Sequence, residues 1–370
     1  MRGVLKKSTI ALLILLMIIG ISGCRADKNL SQEENQGAEV VVIEDPQEDK
    51  DKEMNEETQK LEGFEINPLT GLYIDEEVAK RRPVAIMINN LKKAIPQSGI
   101  SQADVIYETL AEGNITRLLA VFQDFDAEKI GPVRSARHYY IDLAFNHDAI
   151  YIHYGGSPQA YAAASDWRSD NLNGLSYLDE IMCWRDPVRK KQKGMYEHSV
   201  YTNAEKIMKA WDVVKYRKEA KGEAQGMFVF SEEERQMEGK KAEKVALPFT
   251  SKITTNFEYD PGSGLYKRIQ FNQPHIDEMN NQQLMTKNII VQYTEIKHIA
   301  GDKAGRRDVK TIGEGKGMYI TNGTAVPISW SKANHQAPTI YKDENGNHLE
   351  MNKGKTWIII FPSNRQIKLQ

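Results

Sequence analysis

The sequence predicts an α/β or α+β N-terminal domain with a mixed sheet, followed by a β-rich antiparallel C-terminal domain. Three observations predict it. Between Phe64 and Tyr216, apolar runs of strand length alternate with helix-like stretches, as in a sheet covered by helices. Between Val245 and Gln370, short alternating runs recur across Asn-Gly and Pro-Gly turns. Between these regions, residues 217–244 are rich in Lys, Glu, Gln and Gly and have no apolar period apart from Met227-Phe228-Val229-Phe230, as in a linker or an inserted excursion.

Residues 1–23 read as a leader. Arg2, Lys6 and Lys7 form a positive start, and Ile10 to Ile19 an apolar run of secretory length, too short for a comfortable membrane span. Its end, Ile21-Ser22-Gly23-Cys24, resembles the lipobox of bacterial lipoproteins. That resemblance implies a diacylglyceryl thioether on Cys24, cleavage before it, and a chain held at the membrane, where two acyl chains anchor stably and one does not. Residues 24–63 read as an acidic, disordered tether. After Cys24 they hold thirteen Asp and Glu against five Lys and Arg, with no aromatic residue, too little apolar surface to offset the entropy of ordering. The leader carries +3 and the tether −8 of a total of −2, which leaves residues 64–370 at +3. So mild a basicity does not argue for nucleic acid.

In the first domain (64–216), Asn67-Pro68-Leu69-Thr70-Gly71 is turn chemistry, and Glu76 to Arg82 a short helix stopped at Pro83. Val84 to Ile88 is a continuous apolar run, a strand covered on both faces. Val105 to Leu110 and Thr116 to Phe122 flank Glu112-Gly113-Asn114 as an antiparallel pair. Ser135 is placed to cap a helix running to about Asn146. Ala149 to Tyr154 is a second buried strand, followed by Gly155-Gly156-Ser157-Pro158 and a helix through Ala164. Cys183, in an apolar setting without a partner in the mature domain, reads as a buried, inert thiol.

In the second domain (245–370), Ile253 to Tyr259 and Leu265 to Phe271 form a hairpin across Asp260-Pro261-Gly262-Ser263-Gly264. Strands follow at Ile289–Tyr293, Gly317–Ile320, Ala325–Trp330, Thr339–Tyr341 and Thr356–Phe361, with turns at Asn322-Gly323 and Asn345-Gly346. A twisted antiparallel sheet or a partly closed barrel suits this spacing.

Chemistry concentrates in the first domain. Arg117, Arg134 and Arg137 gather near a strand-to-helix entry, and Arg185 could fold back on them; guanidinium groups beside helix amides suit an anion such as phosphate or carboxylate. The competing interpretation is that Arg137 pairs with Glu or with Asp142 and staples the helix to the sheet. Glu108, Asp142, His153 and His198 are the candidate polar or acid-base groups, His153 because it ends a strand just before Gly155-Gly156. No metal site and no cofactor are expected: His-Glu-x-x-His, paired Cys, a phosphate loop, a dinucleotide fingerprint and the Gly-x-Ser-x-Gly elbow are all missing.

Several stretches resemble the YerB family of bacterial lipoproteins: Asn67 to Gly71, Arg82 to Asn90, Gln102 to Glu108, Gly131 to Arg137, His153 to Ser157, Arg185-Asp186, His198 to Thr202, Trp330 and Gly354-Lys355-Thr356-Trp357. The resemblance implies an α/β half and a β-rich half on a lipid anchor, with no established reaction. Where the family commonly has His-Asn-Leu-Tyr, this chain has His198-Ser199-Val200-Tyr201. The order of a Thr-Arg strand, an Arg-x-x-Arg helix entry and a later Gly-Gly is similar, at pattern level, to LytR-CpsA-Psr enzymes, whose arginines hold a polyprenyl pyrophosphate.

The function expected is that of an extracytoplasmic, membrane-anchored envelope lipoprotein that binds a ligand, a partner protein or a cell-wall precursor. The alternative is an enzyme acting on a pyrophosphate or phosphodiester, with the arginines stabilising charge and Asp142 or Glu108 placing a metal or proton. Replacing Cys24→Ala is expected to abolish incorporation of a labelled fatty acid; label that persists would place the anchor elsewhere.

Overall fold

The computed structural model describes residues 62–222 and 227–370. The leader, Cys24 and nearly all of the tether lie outside these residues.

Val84–Asn89 is buried at every position, as its unbroken apolar run requires. It pairs antiparallel with Ile115–Phe122 and parallel with Ile150–His153, which in turn pairs parallel with Asn171–Asn173. Ile115–Phe122 forms the expected hairpin with Val105–Glu112. The N-terminal half is therefore a mixed sheet. Helices His138–Phe145 and Pro158–Asp166 pack on one face through Tyr139, Tyr140 and Ala160, and helix Ala204–Val214 on the other through Ile207 and Trp211.

The β-rich half continues this sheet. Thr356–Pro362, the last long strand of the chain, lies between Asn288–Thr294 and Val105–Glu112 and is parallel to both. Gly313–Thr321 and Thr324–Lys332 extend the sheet antiparallel from Asn288–Thr294, so that eleven strands run through both halves. A separate six-stranded antiparallel sheet, built on the hairpin Thr254–Asp260 with Leu265–Gln270, covers one face of the seam. Alternation along the central strand sorts the core: Trp357, Ile359 and Phe361 meet the second sheet through Phe249 and Phe257, while Ile358 and Ile360 face the opposite layer.

Some boundaries differ from the sequence reading. The helix expected to start at Ser135 begins at His138 and ends at Phe145, and no side chain caps it. Backbone bonds from Arg134 N to Met87 O and from Ala136 N to Gly155 O hold residues 134–136 extended, which delays the helix. Helix Glu76–Lys80 is shorter than expected because Arg81 is already extended ahead of Pro83; Asp75 caps it by accepting from Glu77 N and Val78 N. Within residues 217–244, Val229–Phe230 pairs parallel with Glu350–Met351, and Lys240–Lys241 adds an edge to the large sheet. Cys183 is a free, buried thiol whose pKa burial pushes up to about 12. No helix among the described residues is long and apolar enough to cross a membrane.

The seam is closed by a buried polar network. Glu108, wholly buried on Val105–Glu112, accepts from Arg268 at 2.8 Å, and Arg268 is wholly buried on the second sheet. The other oxygen of Glu108 accepts from Asn90 at 3.1 Å and from Thr116 and Thr255 at 2.9 Å each. Arg268 lies over the Trp357 ring at 4.4 Å and bonds to His275 Nδ1, whose Nε2 meets Gln97 Oε1 at 2.5 Å. Arg268→Met leaves a carboxylate buried without its counter-charge and is expected to cost about 3–5 kcal/mol in chemical denaturation. Adding Glu108→Gln is expected to restore most of that loss; a double variant no better than the single would refute this assignment.

Candidate functional site

The parallel strands Val84–Asn89, Ile150–His153 and Asn171–Asn173 end along one edge, the place where α/β sheets open sites. His153 stands there but is fully engaged: its ring nitrogens meet Gly155 O at 2.8 Å and Asn171 Oδ1 at 3.1 Å. Burial lowers its pKa. His198, also buried, is held at the end of Val84–Asn89. Asn89 Nδ2 donates to its Nδ1 at 2.6 Å, and burial, followed by the charges of Arg134, Lys93 and Arg189, holds its pKa down. Arg134 donates to the carboxylate of exposed Glu197 at 3.0 Å.

Arg117 and Arg137 lie behind this edge and share one acid. Arg117 bonds to Glu112 and donates to Ser135 O at 2.6 Å; Arg137 donates to Glu112 Oε2 at 2.8 and 3.2 Å and to Ala136 O at 2.7 Å. Both guanidinium groups are nearly buried. Burial, together with Arg137, pushes the pKa of Arg117 down to about 10. Burial alone would raise the pKa of Glu112, but Arg117, Arg137 and the more distant Arg134 outweigh it and hold it below the ordinary 4.5.

Glu112 was missed in the sequence, where it reads as part of a turn. A bulge between Leu110 and Glu112 explains its role. Strict alternation would place Glu112 on the face of Glu108; the extra residue turns it to the face of Arg117. An acid one residue before the Gly-Asn turn, opposite an arginine, was the available signal.

The remaining candidates do not join the Glu112 cluster. Arg185 is stacked between Tyr196 at 3.9 Å and Tyr154 at 5.3 Å and donates to Tyr196 O at 2.8 Å. Asp142 accepts from Thr311 at 2.5 Å and meets His335 Nδ1 at 2.6 Å, while His335 stacks on Trp167 at 3.7 Å. Burial raises the pKa of Asp142 despite both bonds. Glu108 belongs to the seam. The structure therefore brings Arg117, Arg134 and Arg137 together around Glu112 and places Glu108 and Asp142 in two separate networks. Among the described residues no three His, Cys, Asp or Glu side chains gather as metal ligands.

Residues 69–217 match the family described as "Protein of unknown function (DUF3048) N-terminal domain", and residues 245–358 its C-terminal counterpart. The chain is 34% identical over 298 residues to a Bacillus subtilis (strain 168) protein named "Putative lipoprotein YerB", a match covering 80% of this chain and 86% of that one. The chain belongs to the YerB family. A crystal structure of the Bacillus subtilis YerB protein superposes with a TM-score of 0.71 at 32% identity, over 82% of this chain and 98% of that one. The YerB fold thus comprises the mixed-sheet half and the antiparallel-rich half seen here.

In this YerB-family chain Glu112 neutralises two arginines at once. Glu112→Gln is expected to cost about 2–3 kcal/mol at pH 7, less than the ~3–5 kcal/mol of a fully buried pair because its side chain is 18% exposed. The sign follows from the lowered folded-state pKa. The contribution is complete above the ordinary 4.5 and disappears as pH falls through the folded value, so denaturation curves of variant and parent should converge in acid.

Proposed function

We propose that this protein is an envelope lipoprotein, acylated at Cys24 and held on the extracytoplasmic face of the cell membrane, whose folded body binds an anionic envelope component at the basic edge without turnover. The name of the Bacillus subtilis relative supports the anchored part of this reading. The cation excess at the edge is the observation that carries the binding part. Residues 185–198 hold five cations, Arg185, Arg189, Lys190, Lys191 and Lys193, against Asp186 and Glu197. Lys190, Lys191 and Lys193 are exposed and enter no ion pair among the described residues. Lys93, Arg134 and Arg189 all act on His198 from around it. Arg134 is paired with Glu197 and Arg189 faces Glu278 at 3.7 Å, so the binding charge is that of the lysines, and such cations kept close together bind anionic groups and draw them in from solution.

The acidic tether suits this arrangement, since it repels an anionic lipid surface and holds the body away from the bilayer. An enzyme acting on a phosphate-containing precursor has less support. The acids it would use, Glu108 and Asp142, are bound into networks apart from Arg134, and Arg117 and Arg137 are neutralised by Glu112.

Pyrophosphate is the test probe. At a hundred times its Kd it should stabilise the parent by about 2.7 kcal/mol in thermal unfolding, with an effect that weakens as salt rises. The combined variant Lys93→Ala, Lys190→Ala, Lys191→Ala, Lys193→Ala should lose that response. A parent that does not respond to pyrophosphate, or a variant that responds equally, would remove the basic edge as the binding site.

A further inference from the structure

Three sequence stretches that resemble the family take no part in the basic edge: Asn67 to Gly71, Gln102 to Asp104, and Gly354 to Trp357. The fold joins them at the side of the seam. Asn67 Nδ2 donates to Asp104 Oδ1 at 3.3 Å, Gly354 N to Thr70 O at 2.7 Å, and Thr356 N to Asp104 O at 3.0 Å. Beside the second and third of these stretches a cleft of about 210 Å³ opens between the seam and the second sheet; its lining includes Asp104, Ile106, Leu284, Thr286, Lys355 and Trp357. Leu265, Met285, Thr286 and Lys355 also border an adjoining hollow of about 500 Å³.

The polar groups of this cleft are incompletely used. Lys355 donates to Ser101 O, and no carboxylate lies within ion-pair distance of it among the described residues, although Asp104 and Asp277 are near enough to act on its charge. Asp104 accepts from Gln123 N at 2.7 Å and from Asn67, both neutral donors. Among the described residues the Trp357 indole N–H, itself shut off from solvent, has no acceptor, and the residue is only 2% exposed. An indole nitrogen can only donate, so a buried one without an acceptor carries an unmet cost. Burial pushes the Asp104 carboxyl up to about 6 and the Lys355 ammonium below its ordinary value. Both charges are thus desolvated and poorly compensated, a condition that opposite charges on a ligand would relieve.

We propose that this cleft binds a free α-amino acid, with its carboxylate on Lys355 and its ammonium on Asp104. One cation and one anion lining the same small cleft, beside the apolar Ile106, Leu284 and Trp357, complement a small zwitterion better than a simple anion. The cleft is below the ~300–1,000 Å³ of drug-sized sites, and the adjoining hollow leaves room for a side chain. This site is separate from the basic edge and does not depend on it.

The test uses the full chain and a panel of probes: glycine, L-alanine, D-alanine, L-glutamate and L-lysine, with acetate and methylammonium as half-ligands. At about 10 mM, enough to fill most of a site with a Kd of 1 mM, at least one amino acid should shift the Trp357 indole ¹⁵N–¹H signal, assigned through Trp357→Phe. Neither half-ligand should match it. Lys355→Met and Asp104→Asn should each weaken calorimetric binding at least about tenfold. The indole signal of the parent decides the question even if a variant fails to fold. An indole signal that no amino acid moves, or binding unchanged in a folded Lys355→Met, would overturn the proposal.

Discussion

A buried charge pair, Glu108 with Arg268, is the constraint on which the rest of the structure depends. Glu108 comes from the hairpin of the N-terminal half and Arg268 from the second sheet of the C-terminal half, and both are wholly buried. Removing two charges from water costs several kcal/mol per ion unless every lone pair and proton finds a partner. Asn90, Thr116 and Thr255 take the remaining capacity of Glu108, while Trp357 and His275 surround the guanidinium. These partners come from distant parts of the chain, so the network forms only when both halves are docked in register, and Arg268 Nε is left without an acceptor among the described residues. A slip of one residue along Val105–Glu112 would turn Glu108 to the other face and expose that cost in full.

Four residues later the same strand makes the opposite use of a carboxylate. Glu112 is turned by a bulge to the face of Arg117, where it neutralises that residue and Arg137 together. With the inner arginines satisfied, and Arg134 and Arg189 facing Glu197 and Glu278, the cations of this region without an ion pair among the described residues include Lys93, Lys190, Lys191 and Lys193. The two carboxylates divide the labour by position: one fastens the halves together, and the other neutralises the two inner arginines.

Much of the fold was legible in the sequence because its strands are either continuous apolar runs or clean alternations. Val84–Asn89, the hairpin Val105–Glu112 with Ile115–Phe122, the hairpin Thr254–Asp260 with Leu265–Gln270, and Thr356–Pro362 fall where those patterns place them. The helix after Ser135 was less legible. Its start is set by backbone bonds to Met87 and Gly155, and a local cap signal cannot register partners so far away. Of the candidate site, the clustering of Arg117, Arg134 and Arg137 was visible in their spacing, but their counter-ion was not. A bulge reverses the facing of a residue without changing its composition or hydropathy.

The sequence by itself determined the class of each half, the location of the long strands, and the acidic segment that separates the folded body from a lipobox-like Cys24. Those properties reside in short windows, where periodicity and charge are local facts. Only the tertiary structure decided that the last long strand enters the middle of the sheet and makes one continuous surface of the two halves. It alone decided that Glu108, Glu112 and Asp142 serve three different networks, and that Asp104, Lys355 and Trp357 line one cleft. Strand order and side-chain partnership depend on contacts between residues hundreds of positions apart, and no local pattern encodes which distant residue will satisfy a buried charge.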